Sequence, residues 1–287
     1  MTQDIRDPHI IMCDVDAGRR LQIAVYGDPD AERVMLFDPG SFGIYADGHN
    51  LAAELAARGW HVIGMTRAGM YGSDPLPAGQ TPLPGFHVDD MARLLDALGI
   101  RKRLVLAGHS MAGVRVHLAG HLMEDRLRGL VLLDAVCPSL MESITWAGWV
   151  AWARALGQAG AFVATSALGP LVEELHPNGL KLSGRPREDK LASVSSDAHL
   201  LNSAAEVAAT ERRSFAERIE PALDLPAFFA TATPVSQGTT KLVEAYRDRG
   251  SWVRRIKPRG VGHVSLLAPE HVPDLADGAD ALFAAGS

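Results

Sequence analysis

The pattern of apolar and polar residues changes along the chain. Near its start, His9 to Val15 and Arg20 to Tyr26 alternate around a short turn, which predicts an antiparallel hairpin. The later strand-length segments are mostly continuous apolar runs bounded by turn residues, as is typical of strands buried on both faces of a sheet. These predicted strands are Glu32 to Phe37, Trp60 to Met65, the run from Leu104 that meets Gly108, Leu127 to Asp134, Ala227 to Ala232, and the strand-like Trp252 to Ile256.

Segments with helical spacing separate these strands. Asn50 to Arg58 and Val88 to Leu98 repeat their apolar residues at helical intervals, and Pro269 to Phe283 supplies a last helix. Strands that alternate with helices over this length predict the α/β class, with a mostly parallel, doubly wound sheet.

Residues 138–226 differ from the rest because they show several helical patterns and no strand-like alternation. We predict an inserted helical cap at 138–226 and a core formed by 1–137 and 227–287. Within the cap, Ile144 to Val172 is strongly apolar, with Arg154 as its only charge. Glycines and the pair Gly169-Pro170 interrupt this stretch, and a membrane span here would split the sheet, so we predict no membrane helix.

Composition narrows the class of protein. The chain has 287 residues, 47% of them hydrophobic, which is enough for a large buried core. A net charge of −6 without basic clusters argues against a nucleic-acid partner. Met1 to Asp7 lack a secretory signal pattern, so we expect a cytoplasmic protein with no membrane partner; a homodimer is left open. Cys13 and Cys137 lack metal-ligand spacing, and we expect buried thiols.

A candidate nucleophile lies where the apolar run from Leu104 ends. Gly108-His109-Ser110-Met111-Ala112 leads directly into a helix, which is the sequence of a sharp strand-to-helix turn with an exposed serine hydroxyl. Ala112 replaces the usual second glycine of such a turn. The alternative is that Ser110 only caps the turn, but the rest of the chain favours a nucleophile.

A candidate base lies near the end of the chain. His263 stands in Gly262-His263-Val264, in a loop after the last predicted strand. A single histidine is more often structural, and ten others are present among the 11 in the chain. In this topology, however, the last loop lies over the turn at Ser110, where an imidazole can accept the serine proton.

Taken together, these segments resemble the α/β-hydrolase superfamily over nearly the whole chain. The matching pieces are Val34 to Phe37 with the Gly40 loop, Arg67 to Asp74, Asp90 to Gly113, Leu130 to Asp134, and Gly262-His263. The resemblance implies hydrolysis without a metal or cofactor. A serine at position 110 is similar to the branches that hydrolyse esters and lactones.

The loop after the third strand departs from the family pattern. The superfamily usually has His-Gly there, whereas Asp38-Pro39 precede Gly40 in this chain. An oxyanion hole needs only backbone N–H groups, so we expect one donor from Gly40 or Ser41 and the other from Met111. Asp38 is expected to shape the turn.

The usual catalytic acid is absent, because no Asp or Glu occurs from Leu225 to Val243. A histidine base needs a carboxylate partner, and Asp134 follows the strand after the nucleophile's helix. This placement, with Thr233-Pro234 in place of the later acid, is similar to the zearalenone-type lactone hydrolases, although those carry Glu. Asp134 could instead cap its loop, and Glu244 is the alternative acid.

The sequence therefore predicts a serine hydrolase in which Ser110, His263 and Asp134 cleave a hydrophobic ester or lactone through an acyl-enzyme. Trp146, Trp149 and Trp152 recur every three residues, so they fall along one side of a cap helix. We expect Trp146, Trp149 and Phe42 to bind substrate, although core packing is the alternative for each tryptophan. Acyl transfer and a non-catalytic small-molecule receptor remain alternative functions.

Overall fold

A computed structural model describes residues 7–16, 18–142, 144–165, 178–210, 220–236 and 238–286. Its strands are β1 (His9–Asp16), β2 (Arg19–Tyr26), β3 (Arg33–Asp38), β4 (Trp60–Met65), β5 (Leu104–His109), β6 (Leu127–Leu133), β7 (Ala227–Ala230) and β8 (Val253–Ile256). Its helices are α1 (His49–Ala57), α2 (Pro84–Ala97), α3 (Ala112–Leu122), α4 (Ile144–Thr165), α5 (Gly184–Val194), α6 (Asp197–Ala209), α7 (Thr239–Asp248) and α8 (Val272–Ala285).

The strands of the described residues form a single sheet in the order β1-β2-β4-β3-β5-β6-β7-β8. The strands from β3 to β8 run parallel, while β1 and β2 form the antiparallel hairpin that the alternating residues predict. The predicted α/β class and mostly parallel sheet are therefore confirmed.

Helices cover both faces of this sheet. Successive residues of a strand point to opposite faces, so Leu106 packs in the core that includes Leu94 of α2 and Val116 of α3. Its neighbour Val105 packs in the core that includes Leu51 of α1 and Leu275 of α8. Burial on both faces explains why β5 is apolar from Leu104 to Ala107.

The chain between β6 and β7 contains α4, α5 and α6, and its described residues contain no strand. α4 is interrupted at Gly160, where φ is 59°. Residues 166–177, which include the end of the apolar stretch and the predicted Gly169-Pro170 break, lie outside the described residues. In the described part of the chain, no helix is both long and apolar enough to cross a membrane.

Several element boundaries differ from the sequence prediction, and two of the differences have a direct structural explanation. α2 begins at Pro84, four residues before the predicted start at Val88, because proline is favoured in the first turn of a helix. β7 ends at Ala230, two residues before the predicted end at Ala232. Beyond Ala230, the amide of Ala232 bonds to the Asp134 side chain and leaves the strand ladder.

Candidate active site

Ser110 occupies the sharp turn between β5 and α3. Its φ is 56°, in the left-handed region that non-glycine residues rarely adopt. Its N–H bonds to Leu133 O at 3.1 Å and its carbonyl accepts from Val136 N at 2.8 Å. A Cβ placed at Gly108 would lie 2.5 Å from Val116 Cγ2, so a glycine is needed where the strand and helix cross. Ser110 is thus held on a constrained turn and lines a pocket.

His263 and Asp134 are joined by a hydrogen bond, with Nδ1 and Oδ2 2.7 Å apart. Asp134 follows the last residue of β6 and is fully buried, and His263 lies in the loop after β8. Both residues therefore stand at the carboxyl edge of the parallel strands, as Ser110 does. The alternative acid, Glu244, is exposed on α7. The structure brings the predicted base together with Asp134.

Every oxygen lone pair of Asp134 faces a donor. Oδ1 accepts from the amides of Ala232 (2.8 Å) and Thr233 (3.0 Å), and Oδ2 accepts from Thr233 Oγ1 (2.5 Å) and His263. Burial by itself raises the pKa of Asp134, but the bond to His263, its charge and the bonds from Thr233 together hold the pKa well below its usual range. A permanently ionised carboxylate suits a group that orients an imidazole base.

His109 supports His263 from beneath. The two rings lie 4.5 Å apart, and His109 Nε2 is 3.0 Å from the His263 carbonyl oxygen. Burial, reinforced by His263, lowers the pKa of His109 to about 3, so its neutral ring donates this bond. His263 Nε2 is buried and has no hydrogen-bond partner among the described residues. Catalytic hydrogen bonds of this kind often form only with substrate present.

Residues Pro39 to Gly43 form a loop beside Ser110, which we call the oxyanion loop. A Cβ placed at Gly40 would lie 2.7 Å from Ser110 Cβ, so only glycine permits this approach. Ser41 and Met111 line the same pocket as Ser110. Among the described residues, neither of these two amides donates to another backbone group. The predicted oxyanion donors therefore lie next to the candidate nucleophile with their N–H groups available.

Asp38 lies in a buried ion-pair cluster behind the oxyanion loop. Its carboxylate accepts from Arg67 Nη1 at 3.0 Å and from Arg115 Nε at 2.6 Å, and all three side chains are at most 2% exposed. Both arginines also donate to Pro39 O. Asp38 therefore does more than shape the turn, because it also pairs with two arginines that are distant in the sequence. Sequence reasoning missed Arg115, although a charged residue in the apolar start of α3 is a signal of such a pair.

Phe42 is held in a left-handed conformation, with φ of 57° and a fully buried side chain. Its carbonyl accepts from Lys190 Nζ (2.9 Å) and His199 Nε2 (3.2 Å), which come from helices α5 and α6. Its ring meets Trp152 edge to face, with centroids 6.0 Å apart. Lys190 and His199 are separated from Phe42 by about half the chain, so sequence spacing gives no sign of these contacts.

The pocket in front of Ser110 lies between the oxyanion loop, the turn at Ser110 and α4. Trp146, Trp149 and Phe42, which the sequence proposes as substrate-binding residues, all line it. Its other described lining residues are mostly apolar: Ser41, Ser110, Met111, Val136, Leu140, Trp152, Ala153, Val207 and Val235. Trp146 Nε1 bonds to Thr210 Oγ1 at 3.1 Å, so this indole is buried with its polar atom satisfied.

Comparison with known proteins identifies the fold that carries this site. A family model described as the alpha/beta hydrolase fold matches residues 33–164. The protein has the α/β-hydrolase fold. The match includes the oxyanion loop, the turn at Ser110 and Asp134, and it ends within α4. The resemblance seen in the sequence is confirmed at this level, while the likeness to zearalenone-type lactone hydrolases stays a prediction.

Solved structures resemble this α/β hydrolase over nearly its whole length. A "putative acyltransferase" from Salmonella enterica is 17% identical, with 98% of each chain covered and a TM-score of 0.74. Epoxide hydrolase A from Mycobacterium thermoresistibile is 17% identical, with 94% of this chain and 98% of that chain covered and a TM-score of 0.70. A serine hydrolase involved in carbazole degradation is 16% identical, with 97% and 99% covered and a TM-score of 0.66. These identities show a shared fold.

A curated relative also matches part of the α/β hydrolase. It is the "Probable transporter efuK" of Hormonema carpetanum, which is 36% identical over 73 residues. These residues are 25% of this chain, and they span only 10% of the length of the relative.

Proposed function

We propose that this α/β hydrolase is a serine hydrolase that cleaves a carboxylic ester or lactone of a hydrophobic small molecule. The observation that carries the proposal is the 2.7 Å bond between Asp134 and His263 at the strand edge that also holds Ser110. Ser110 and Asp134 follow the adjacent strands β5 and β6, His263 lies in the loop after β8, and each has the functional group that acyl transfer to serine requires.

In the proposed reaction, Ser110 Oγ attacks the carbonyl carbon of the substrate while His263 Nε2 accepts the serine proton. Asp134 keeps the other ring proton on Nδ1 and stabilises the imidazolium that forms. His263 then returns the proton to the leaving alcohol, which leaves an acyl-enzyme. Water activated by the same imidazole releases the acid. In a lactone the leaving alcohol stays attached to the acyl group.

The oxyanion of the tetrahedral intermediate would be bound by backbone N–H groups from the oxyanion loop and from Met111. Both sources border the pocket that Ser110 lines. Donors that are already in place need no reorganisation when charge develops on the substrate oxygen, so they lower the barrier more than water does.

The choice of serine supports an acyl substrate over an epoxide. Attack of a serine oxygen on an epoxide would form an ether, which water does not readily hydrolyse, so the enzyme would not turn over. Attack on an ester or lactone forms an ester that water can cleave. The described pocket lining is aromatic and aliphatic apart from Ser41 and Ser110, which suits a hydrophobic substrate.

A fluorophosphonate probe tests the proposal, because it forms a covalent bond only with an activated serine. We expect labelling of Ser110 in the wild type, detected by peptide mass spectrometry, and its loss in Ser110→Ala and in His263→Ala. Release of a free acid from a naphthyl ester would identify hydrolysis, whereas formation of a new ester with an added alcohol would identify acyl transfer. Absence of labelling in the folded wild type would favour the receptor alternative.

The cellular location, partners and oligomeric state of the protein are also proposals. A cytoplasmic location and the absence of nucleic-acid and membrane partners remain predictions from the sequence, and a homodimer stays an open alternative.

A further inference from the structure

Arg67 is placed where it controls the direction of two backbone amides of the oxyanion loop. Its guanidinium has five N–H donors and meets five acceptor contacts. Nη1 donates to Asp38 Oδ1 (3.0 Å) and Pro39 O (2.7 Å), and Nη2 donates to Gly40 O (2.9 Å) and Glu206 Oε2 (2.8 Å). Nε donates to Glu206 Oε1 at 2.9 Å. The side chain of Arg67 is fully buried, so its orientation is set by these contacts alone.

The two carbonyls that Arg67 binds belong to consecutive peptide units. In a trans peptide the N–H points opposite to the C=O, and the structure contains no cis peptide among its described residues. Because the carbonyls of Pro39 and Gly40 both face Arg67, the amides of Gly40 and Ser41 face the other side of the loop. Gly40 approaches Ser110 there, and Ser41 lines the pocket.

Arg67 is itself oriented from the cap. Glu206 lies on α6, is 2% exposed and accepts hydrogen bonds from the guanidinium with both carboxylate oxygens. Burial by itself raises the pKa of Glu206, but the neighbouring charges of Arg67 and His87 hold it well below its usual range. A bidentate pair of this kind fixes the plane of the guanidinium, which a lysine ammonium cannot reproduce.

We propose that Arg67 is the positioning residue of the oxyanion hole and that Glu206 makes this function depend on the docked cap. The inference rests on the proposed serine hydrolase function. Arg67 does not touch substrate. It acts by holding two carbonyls on one side of the loop so that two amides face the developing oxyanion.

The test compares Arg67→Lys and Glu206→Gln with a matched control, Arg19→Lys. Arg19 of β2 forms another buried bidentate pair, with Asp90 of α2 at 2.6 and 2.5 Å, and no hydrogen bond among the described residues joins this pair to the oxyanion loop. Loss of one oxyanion donor lowers kcat by about 10²–10³, so a misdirected donor is expected to lower kcat at least about tenfold. KM for the same naphthyl ester should stay within about twofold, because the apolar pocket is untouched. Arg19→Lys should retain kcat.

Hydrogen–deuterium exchange of the peptide that contains residues 39–43 gives a readout independent of chemistry. We expect faster exchange in Arg67→Lys and Glu206→Gln, and unchanged exchange in Arg19→Lys, with all variants confirmed as folded by thermal melting. The inference would be overturned if Arg67→Lys and Glu206→Gln both kept the wild-type kcat and exchange rate. It would also be overturned if Arg19→Lys lost as much kcat as they do. If the wild type neither reacts with the fluorophosphonate nor turns over esters, the proposed function fails. In that case the exchange data alone decide whether Arg67 and Glu206 hold the loop.

Discussion

Thr233 Oγ1 lies 2.5 Å from Asp134 Oδ2, the same oxygen that bonds to His263 Nδ1. Oδ2 thus accepts two hydrogen bonds, from Thr233 and His263, and Oδ1 accepts two more, from the backbone amides of Ala232 and Thr233. An asparagine amide at position 134 would therefore direct its NH₂ group against at least one donor. The site accepts a carboxylate and disfavours its neutral isostere.

Asp134→Asn is expected to lower kcat by about 10²–10⁴, because the imidazolium loses its counter-charge and the wrong tautomer of His263 is favoured. Glu244→Gln is the matched control and should stay within about twofold of wild type, since Glu244 is exposed on α7. Steady-state kinetics with one naphthyl ester measure both. The opposite ranking, in protein shown to be folded, would move the acid to Glu244.

The stability difference between wild type and Asp134→Asn should depend on pH. The folded protein holds the pKa of Asp134 below its value in the unfolded chain, so this carboxylate stabilises the fold above a pH of about 4. The contribution is lost as the pH falls through the folded-state pKa, where the proton binds in both states. Urea unfolding from pH 7 to pH 3 should therefore show a gap between the two proteins that shrinks on the acid side. A gap that stays constant would show that the charge of Asp134 is not its cause.

The activity of the wild type should fall on the acid side, because a protonated imidazole base cannot accept the serine proton. His109 cannot produce this limb, because burial keeps its pKa at about 3. The profile of kcat/KM against pH measures the effect. A flat profile from pH 5 to pH 8 would contradict the assignment of a histidine base.

Lys190→Met is expected to destabilise the fold by about 3–5 kcal/mol, because it leaves Asp47 buried without its cation. Lys190 Nζ is 2.8 Å from Asp47 Oδ1, and the lysine side chain is only 1% exposed. Lys181→Met is the control, because Lys181 is an exposed lysine paired with Glu270 at the surface. Urea unfolding should separate the two variants clearly, and equal midpoints would contradict a buried ion pair at Lys190.

Trp149→Ala should reduce kcat/KM for a naphthoate ester about tenfold, which corresponds to about 1.4 kcal/mol of lost aromatic contact. Trp149 lines the pocket and packs edge to face on Trp152, with centroids 5.3 Å apart. An acetate ester of the same alcohol is the internal control, because its acyl group is too small to reach the tryptophans. An equal loss for both esters would place Trp149 outside acyl-group recognition.

The sequence by itself determined the fold class and the order of the elements. Buried parallel strands must be apolar on both faces, so β4 could be recognised from Trp60 to Met65 with its bounds intact. The turn at Ser110 was equally visible, because only small residues allow a strand and a helix to cross so closely. The lack of a carboxylate from Leu225 to Val243 can also be read directly from the sequence, and it makes Asp134 a candidate for the acid.

Tertiary structure decided which side chains meet. It brought Asp134 to His263 and left Glu244 exposed on α7. Spacing along the chain does not decide which of these two carboxylates meets the histidine. It also joined Arg67 to Glu206, which are separated by 139 positions. Ion pairs of this kind depend on distances between folded elements, and a linear pattern of apolar and polar residues carries no information on such distances. The sequence therefore identified the chemical groups, and the packing of the folded elements decided how they are held.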